Sequence, residues 1–210
     1  LNHLIFHYPK PYIALIDGIA MGGGVGLSVH AGTRIASETT MFAMPETGIG
    51  LFPDVGGSYF LSRCPGAIGM YLALTGARLR AADCLYAGIS EHYVEIAHHN
   101  TLIESLRDGA SIDKAVALVA SDPGAAPLAD MRETIDRIFL GGTVEAVLAA
   151  LRAEGGEWAE KTLNMMAGKS PTSQKIACRQ LQEGSAKDFD ACMVMEYRLS
   201  QHIMAAHDFF

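Results

Sequence analysis

"PYIALIDGIAMGGGVGLSVHAGTRIAS", residues 11–37, carries the alternation that decides the fold. It opens with an apolar run bounded by Pro11 and Gly18, and a second short run, "TRIAS", closes it. Between them stand Gly22, Gly23, Gly24 and Gly26, followed by small residues that end on a further glycine. Short apolar runs bounded by turn residues read as buried strands, and the glycines read as a tight turn entering a short helix.

The alternation continues downstream. "MFAM" (41–44) and "ISEHYVE" (89–95) are further strand-like runs, while "GAIGMYLALTG" (66–76) and "RAADCLYAG" (80–88) read as short helices stopped by Gly76 and Gly88. Strands alternating with short helices predict an α/β core. From about residue 100 the texture becomes helical. Leu128, Met131, Ile135, Ile138 and Phe139 fall at helical spacing, and so do Phe189, Cys192, Leu199 and Ile203. Ser170 before Pro171 is a helix start and Gly184 a stop. We therefore expect an α/β core over residues 1–120 and a helical region over 121–210. That helical region covers the core or meets a partner chain, which leaves room for a homo-oligomer.

Composition narrows the class. A chain of 210 residues with half of them hydrophobic has ample apolar material for one sizeable core. A net charge of −7, with no run of Lys or Arg, argues against a nucleic-acid partner. No apolar stretch approaches the roughly 20 residues of a membrane helix, so no membrane is expected either. The cysteines Cys64, Cys84, Cys178 and Cys192 lack metal-ligand spacing and read as reduced, buried thiols. None of the histidines stands in H-E-x-x-H spacing, and His98-His99 sits in a polar connector, so no metal site is expected. The opening "LNHLIFHYPKPYIALIDG" has no basic leader and reads as the end of a helix running into a strand, as if the true N-terminus lay upstream.

The glycine cluster is neither a P-loop, because Val25 and Gly26 stand where GK[ST] is needed, nor a dinucleotide fingerprint, because Val29 replaces the third small residue. What remains is a strand, a turn and a helix N-terminus, a geometry that gathers unpaired backbone N–H groups and suits an oxyanion. The competing reading is that the glycines only let a helix pack closely on a sheet.

Further on, "MFAMPETGIGLFPDVGG" (41–57) holds Glu46 after Pro45 and Asp54 after Pro53. An exposed acidic turn is the ordinary reading of such a segment. Against it stand Met44, Ile49, Leu51 and Phe52, which argue for a partly apolar cleft that would raise a carboxylate toward neutrality as general acid or base. A serine nucleophile elbow does not fit, since Phe60 and His30 occupy the glycine positions after Ser58 and Ser28.

Taken together, "GIAMGGGVGLS", "FAMPETGIGLFPDVGG", "SPTSQKI" and "MEYRLSQ" resemble the enoyl-CoA hydratase/isomerase (crotonase) superfamily, and within it the branch of 3-hydroxyisobutyryl-CoA hydrolases. The resemblance implies a spiral of ββα units with a helical C-terminal region, the N-terminal part of the fold missing, and an acyl-CoA substrate with no separate cofactor. It implies that Gly23, with Gly22 beside it, donates an amide to the thioester carbonyl, that Glu46 is catalytic, and that Asp54 is the hydrolase branch's additional acid. Hydratases carry a second catalytic glutamate where this chain has Gly26, which favours thioester hydrolysis over water addition. An enoyl-CoA hydratase or isomerase using Glu46 alone, or a non-catalytic acyl-CoA-binding subunit, are the alternatives. A valine-catabolic enzyme of this kind is expected in a bacterial cytoplasm or a mitochondrial matrix.

Overall fold

In the computed structural model, which describes residues 1–205 and 207–209, the chain begins with α1 (Asn2–Phe6) and enters β1 (Ile13–Ile16) and β2 (Ile19–Ala20). There follow α2 (Gly23–Ser28), β3 (Thr33–Ala36), β4 (Met41–Phe42), a 3₁₀ turn (Glu46–Ile49) and α3 (Gly57–Phe60). Next come α4 (Ile68–Thr75), α5 (Ala81–Tyr86), β5 (His92–Tyr93), α6 (His99–Arg107) and α7 (Ile112–Val119). The remainder is α8 (Pro127–Asp130), α9 (Arg132–Phe139), α10 (Val144–Glu154), α11 (Gly156–Ala167), α12 (Pro171–Gly184) and α13 (Phe189–Ile203).

The strands fall into two parallel sets. β1, β3 and β5 form one sheet with Ile13 opposite Thr33 and Ile35 opposite His92, while β2 pairs with β4 through Ile19 opposite Met41. Parallel neighbours need a crossover between them, and α2 supplies the first. Each turn therefore runs long strand, short strand, helix, and successive turns stack strand on strand. This is the ββα spiral, and it has a local consequence. The segments leaving the carboxyl ends of neighbouring β2 and β4 emerge side by side, with the Ala43 N–H donating to the Ala20 carbonyl at 3.2 Å. Gly22 follows one strand and Glu46 the other.

One apolar cluster holds both halves of the chain. Phe42 and Met44 from the spiral pack with Ile68 and Leu72 of α4, Ile135 and Phe139 of α9, Leu151 of α10 and Leu181 of α12. The opposite face of the larger sheet is covered by α6 and α7, where Leu102, Ala115 and Val116 meet Ile35 and Val94. His98 and His99 do not lie in an open connector: they end a 3₁₀ turn and start α6.

Helix boundaries follow local chemistry. The Ser170 hydroxyl accepts the Ser173 N–H at 3.0 Å, with Pro171 as the first residue of α12. Gly184 ends that helix for a reason the sequence does not display: a Cβ there would overlap the Ser58 carbonyl, so the glycine lets α12 rest directly on α3. All four cysteines are buried and free, and burial pushes the Cys64 and Cys84 thiols up to about 12.

Candidate active site

Glu46 opens the 3₁₀ turn. Pro45 stiffens the approach, the Gly48 N–H closes on the Pro45 carbonyl at 2.8 Å, and Gly50, with φ 73°, reverses the chain. From outside, the Ser170 N–H at the start of α12 donates to the Thr47 carbonyl at 2.9 Å and docks the turn on the helical region.

The Glu46 side chain is only 5% exposed, and among the described residues its Oε2 has no hydrogen-bond partner. Burial raises its pKa to about 7. The negative Asp54 adds to the rise, while the Gly22 backbone amide and the Lys169 ammonium oppose it. A buried carboxylate with a free oxygen, titrating near neutrality, is the property expected of a general base or nucleophile rather than a structural acid.

Asp54 is half-buried, and burial raises its pKa too. Its segment is held from several directions. The Gln180 amide donates to the Pro53 carbonyl at 2.6 Å, and the Asn2 amide donates to the Val55 carbonyl at 3.1 Å. His30 Nε2 donates to the same Val55 carbonyl at 2.7 Å. Glu196, 4% exposed on α13, accepts the Gly56 N–H at 2.8 Å, the Ser58 N–H at 2.9 Å and the Ser58 hydroxyl.

The clamp has work to do. Val55 has φ 51°, a left-handed conformation that costs a β-branched residue about 1–2 kcal/mol and persists only where the surroundings over-determine it. Gly56 continues the bend at φ 90°, and the His30 ring occupies the space a side chain there would need. Burial lowers the pKa of His30, keeping its ring neutral against this backbone.

Gly22 caps α2 with φ 51°, and its N–H turns toward the Glu46 carboxylate. Gly23 is the first residue of α2 and is exposed, so its own N–H has no partner within the helix and is open to a ligand. Gly26, one turn on, is packed shut. A Cβ there would overlap the Asn2 amide and press on the Val55 Cβ at 2.9 Å, so no larger side chain fits beside Asp54.

The structure thus brings Gly22, Gly23, Glu46 and Asp54 together at the carboxyl ends of β2 and β4. Of the apolar neighbours of the two acids, Met44 and Phe52 are fully buried, whereas Ile49 is 64% exposed. An apolar groove of about 440 Å³ runs elsewhere, between α12 and α13, lined by Ile176, Met195 and Leu199. Neither acid borders it.

The sequence assigns no site role to Asn2, His30, Gln180 or Glu196, although His30 appears there as the residue that spoils a serine elbow and Glu196 within "MEYRLSQ". One of them left a trace: Glu196 occupies a position of the buried α13 stripe, between Cys192 and Leu199. A charged residue in an apolar stripe asks for a partner.

A ββα spiral that sets buried carboxylates beside a free helix N-terminus at its strand ends defines a crotonase-type α/β protein. The chain belongs to the enoyl-CoA hydratase/isomerase family, whose sequence model matches residues 1–210. Among curated relatives, the mitochondrial 3-hydroxyisobutyryl-CoA hydrolase of Xenopus tropicalis is 48% identical over 221 residues, covering all of this chain and 57% of that protein. The human protein of the same name is 46% identical, with the same coverage. The chain therefore spans a little over half the length of these relatives.

Among solved structures, a carnitinyl-CoA dehydratase from Mycobacterium thermoresistibile superposes with a TM-score of 0.94 at 38% identity, covering 99% of this chain and 61% of that one. An enoyl-CoA hydratase from Rhodobacter sphaeroides gives 0.88 at 36% identity, covering 97% and 58%.

Proposed function

We propose that the protein hydrolyses a short 3-hydroxyacyl-CoA thioester, 3-hydroxyisobutyryl-CoA in valine breakdown being the substrate its curated relatives are named for. The observation that carries the reading is Gly26. Water addition across a double bond by two glutamates needs a carboxylate at that position, and Asn2 and Val55 fill the space it would take. One acid, Glu46, then faces the carbonyl, with Asp54 as its companion.

In this reading the Gly23 N–H polarises the thioester carbonyl, an interaction whose removal costs about 3 kcal/mol of barrier. The Glu46 carboxylate either attacks the carbonyl carbon, giving a mixed anhydride that water then opens, or removes a proton from the attacking water. The C–S bond breaks, and the departing thiolate takes a proton to leave as free CoA. Asp54 holds the substrate hydroxyl or passes that proton. CoA is part of the substrate, and the reaction draws on no further cofactor. Among the described residues no helix is long and apolar enough to cross a membrane. A mitochondrial matrix suits a eukaryotic source and a cytoplasm a bacterial one.

The names of the two superposed structures favour a second reading, hydration or dehydration at an enoyl-CoA by Glu46 alone. The two separate cleanly with the full-length protein. 3-Hydroxyisobutyryl-CoA is expected to release thiol, titrated with a chromogenic disulfide, while crotonyl-CoA keeps its enoyl absorbance. Loss of that absorbance without thiol release from either ester would replace hydrolysis by hydration.

A further inference from the structure

We propose that His3, His7 and Asp190 form a site for one divalent transition-metal ion, Zn²⁺ foremost, joining α1 to α13. His3 within α1 and His7 at its C-cap stand four residues apart, with ring centroids 4.6 Å apart. Both Nε2 atoms turn to the same oxygen of Asp190, His7 at 2.7 Å and His3 at 3.2 Å. The ligand atoms of all three residues lie within 4.8 Å of one another.

Around a tetrahedral ion with bonds of about 2.0–2.1 Å, neighbouring ligand atoms sit ~3.3 Å apart. The His3 to Asp190 separation already matches that spacing. The His7 to Asp190 contact of 2.7 Å needs to open by about 0.6 Å, a movement within reach of exposed side chains. Two imidazoles and one carboxylate suit Zn²⁺, Co²⁺, Ni²⁺ or Cu²⁺, whereas Mg²⁺ and Ca²⁺ prefer oxygen alone. All three side chains are about half exposed or more, which leaves the fourth position to water.

The site differs from the H-E-x-x-H pattern in two ways: no glutamate follows the first histidine, and the carboxylate lies 183 residues from His7. Only the docking of α1 on α13 assembles it, alongside the stacked rings of Phe6 and Phe189 at 3.9 Å. Its occupancy would matter beyond the surface. α1 carries Asn2, whose amide donates to the Gly26 and Val55 carbonyls, so an ion fastening α1 also steadies the segment that presents Asp54.

The test is a titration of chelator-treated protein with Zn²⁺, and separately with Co²⁺, followed by calorimetry and by melting temperature. One equivalent is expected to bind, Co²⁺ giving the visible bands of a four-coordinate ion and Zn²⁺ raising the melting temperature. Asp190→Asn and the double variant His3→Asn/His7→Asn are each expected to weaken binding by at least about tenfold, since loss of even a supporting partner of a metal ligand costs that much. Their melting temperatures in chelator verify that they fold. No saturable uptake by the unmodified protein, or uptake of unchanged affinity in both variants, would overturn the site.

Discussion

Glu196 on α13 accepts the backbone N–H of Gly56, 140 residues away, at 2.8 Å, and through the neighbouring Ser58 N–H at 2.9 Å it caps α3 with a carboxylate that α3 itself lacks. Asp54 stands two residues before this anchor, so α13 sets where the second acid points. In Glu196→Gln one of these accepting oxygens becomes an amide that donates toward other donors. We expect a stability loss of about 1–3 kcal/mol in urea unfolding, the cost of an unsatisfied buried group. We also expect a fall in kcat with KM little changed, and partial recovery in Glu196→Asp. Equal loss of stability with unaltered kcat would reduce Glu196 to a structural cap.

Glu46→Gln is expected to abolish CoA release while stabilising the fold, because burial disfavours the ionised carboxylate. The sign follows from linkage. Between the ordinary value of 4.5 and the raised value of about 7, the folded chain holds a proton that the unfolded chain has lost, so stability falls as pH rises through that window. Glutamine removes the penalty. A gain of about 2–3 kcal/mol is expected at pH 8 and almost none at pH 4, read from denaturant midpoints.

The same titration shapes activity. Glu46 must be ionised to attack or to accept a proton, so kcat/KM should fall on the acid side with a midpoint of about 7. Because the charge on Asp54 contributes to the rise, Asp54→Asn should move that midpoint to lower pH even as it slows turnover. An unmoved midpoint would mean that the two carboxylates do not share a field.

Gly26→Glu restores the residue type of a two-glutamate hydratase, and it should still not make one. The new side chain collides with Asn2 and Val55, and overpacking of this kind costs about 1–3 kcal/mol. We expect a lower melting temperature, no hydration of crotonyl-CoA, and impaired thioester hydrolysis as Val55 is pushed aside. Adding Asn2→Ala should recover part of the stability.

Ser170→Ala removes the side-chain cap of α12 while keeping the Ser170 N–H that docks the Glu46 turn. A loss of about 1 kcal/mol is expected from chemical denaturation. A larger fall in kcat than in stability would mark the Thr47 contact as part of the site's alignment.

Much of the fold was legible because its signals are local. A strand such as Ile13–Ile16 declares itself by apolar residues between Pro11 and Gly18, and α12 by Ser170 and Pro171 at its start and Gly184 at its stop, since each depends on neighbours a few residues away. Glu46 was legible for the same reason, as an acid behind a proline in an apolar segment. Ile49 misled because an apolar residue between prolines and glycines does not reveal which way its side chain turns, and it proved to face solvent.

By itself the sequence determined the alternation of strands and helices and the glycine turn before α2, and it singled out the two acids as candidates, all short-range matters of spacing and backbone freedom. Only the tertiary structure decided what those acids can do. The pKa of Glu46 comes from burial and from Asp54, while the posture of Asp54 comes from Asn2, His30, Gln180 and Glu196, which no local pattern connects. Desolvation and long-range hydrogen bonds arise when remote segments pack, so they are properties of the folded surface around a residue rather than of its place in the chain.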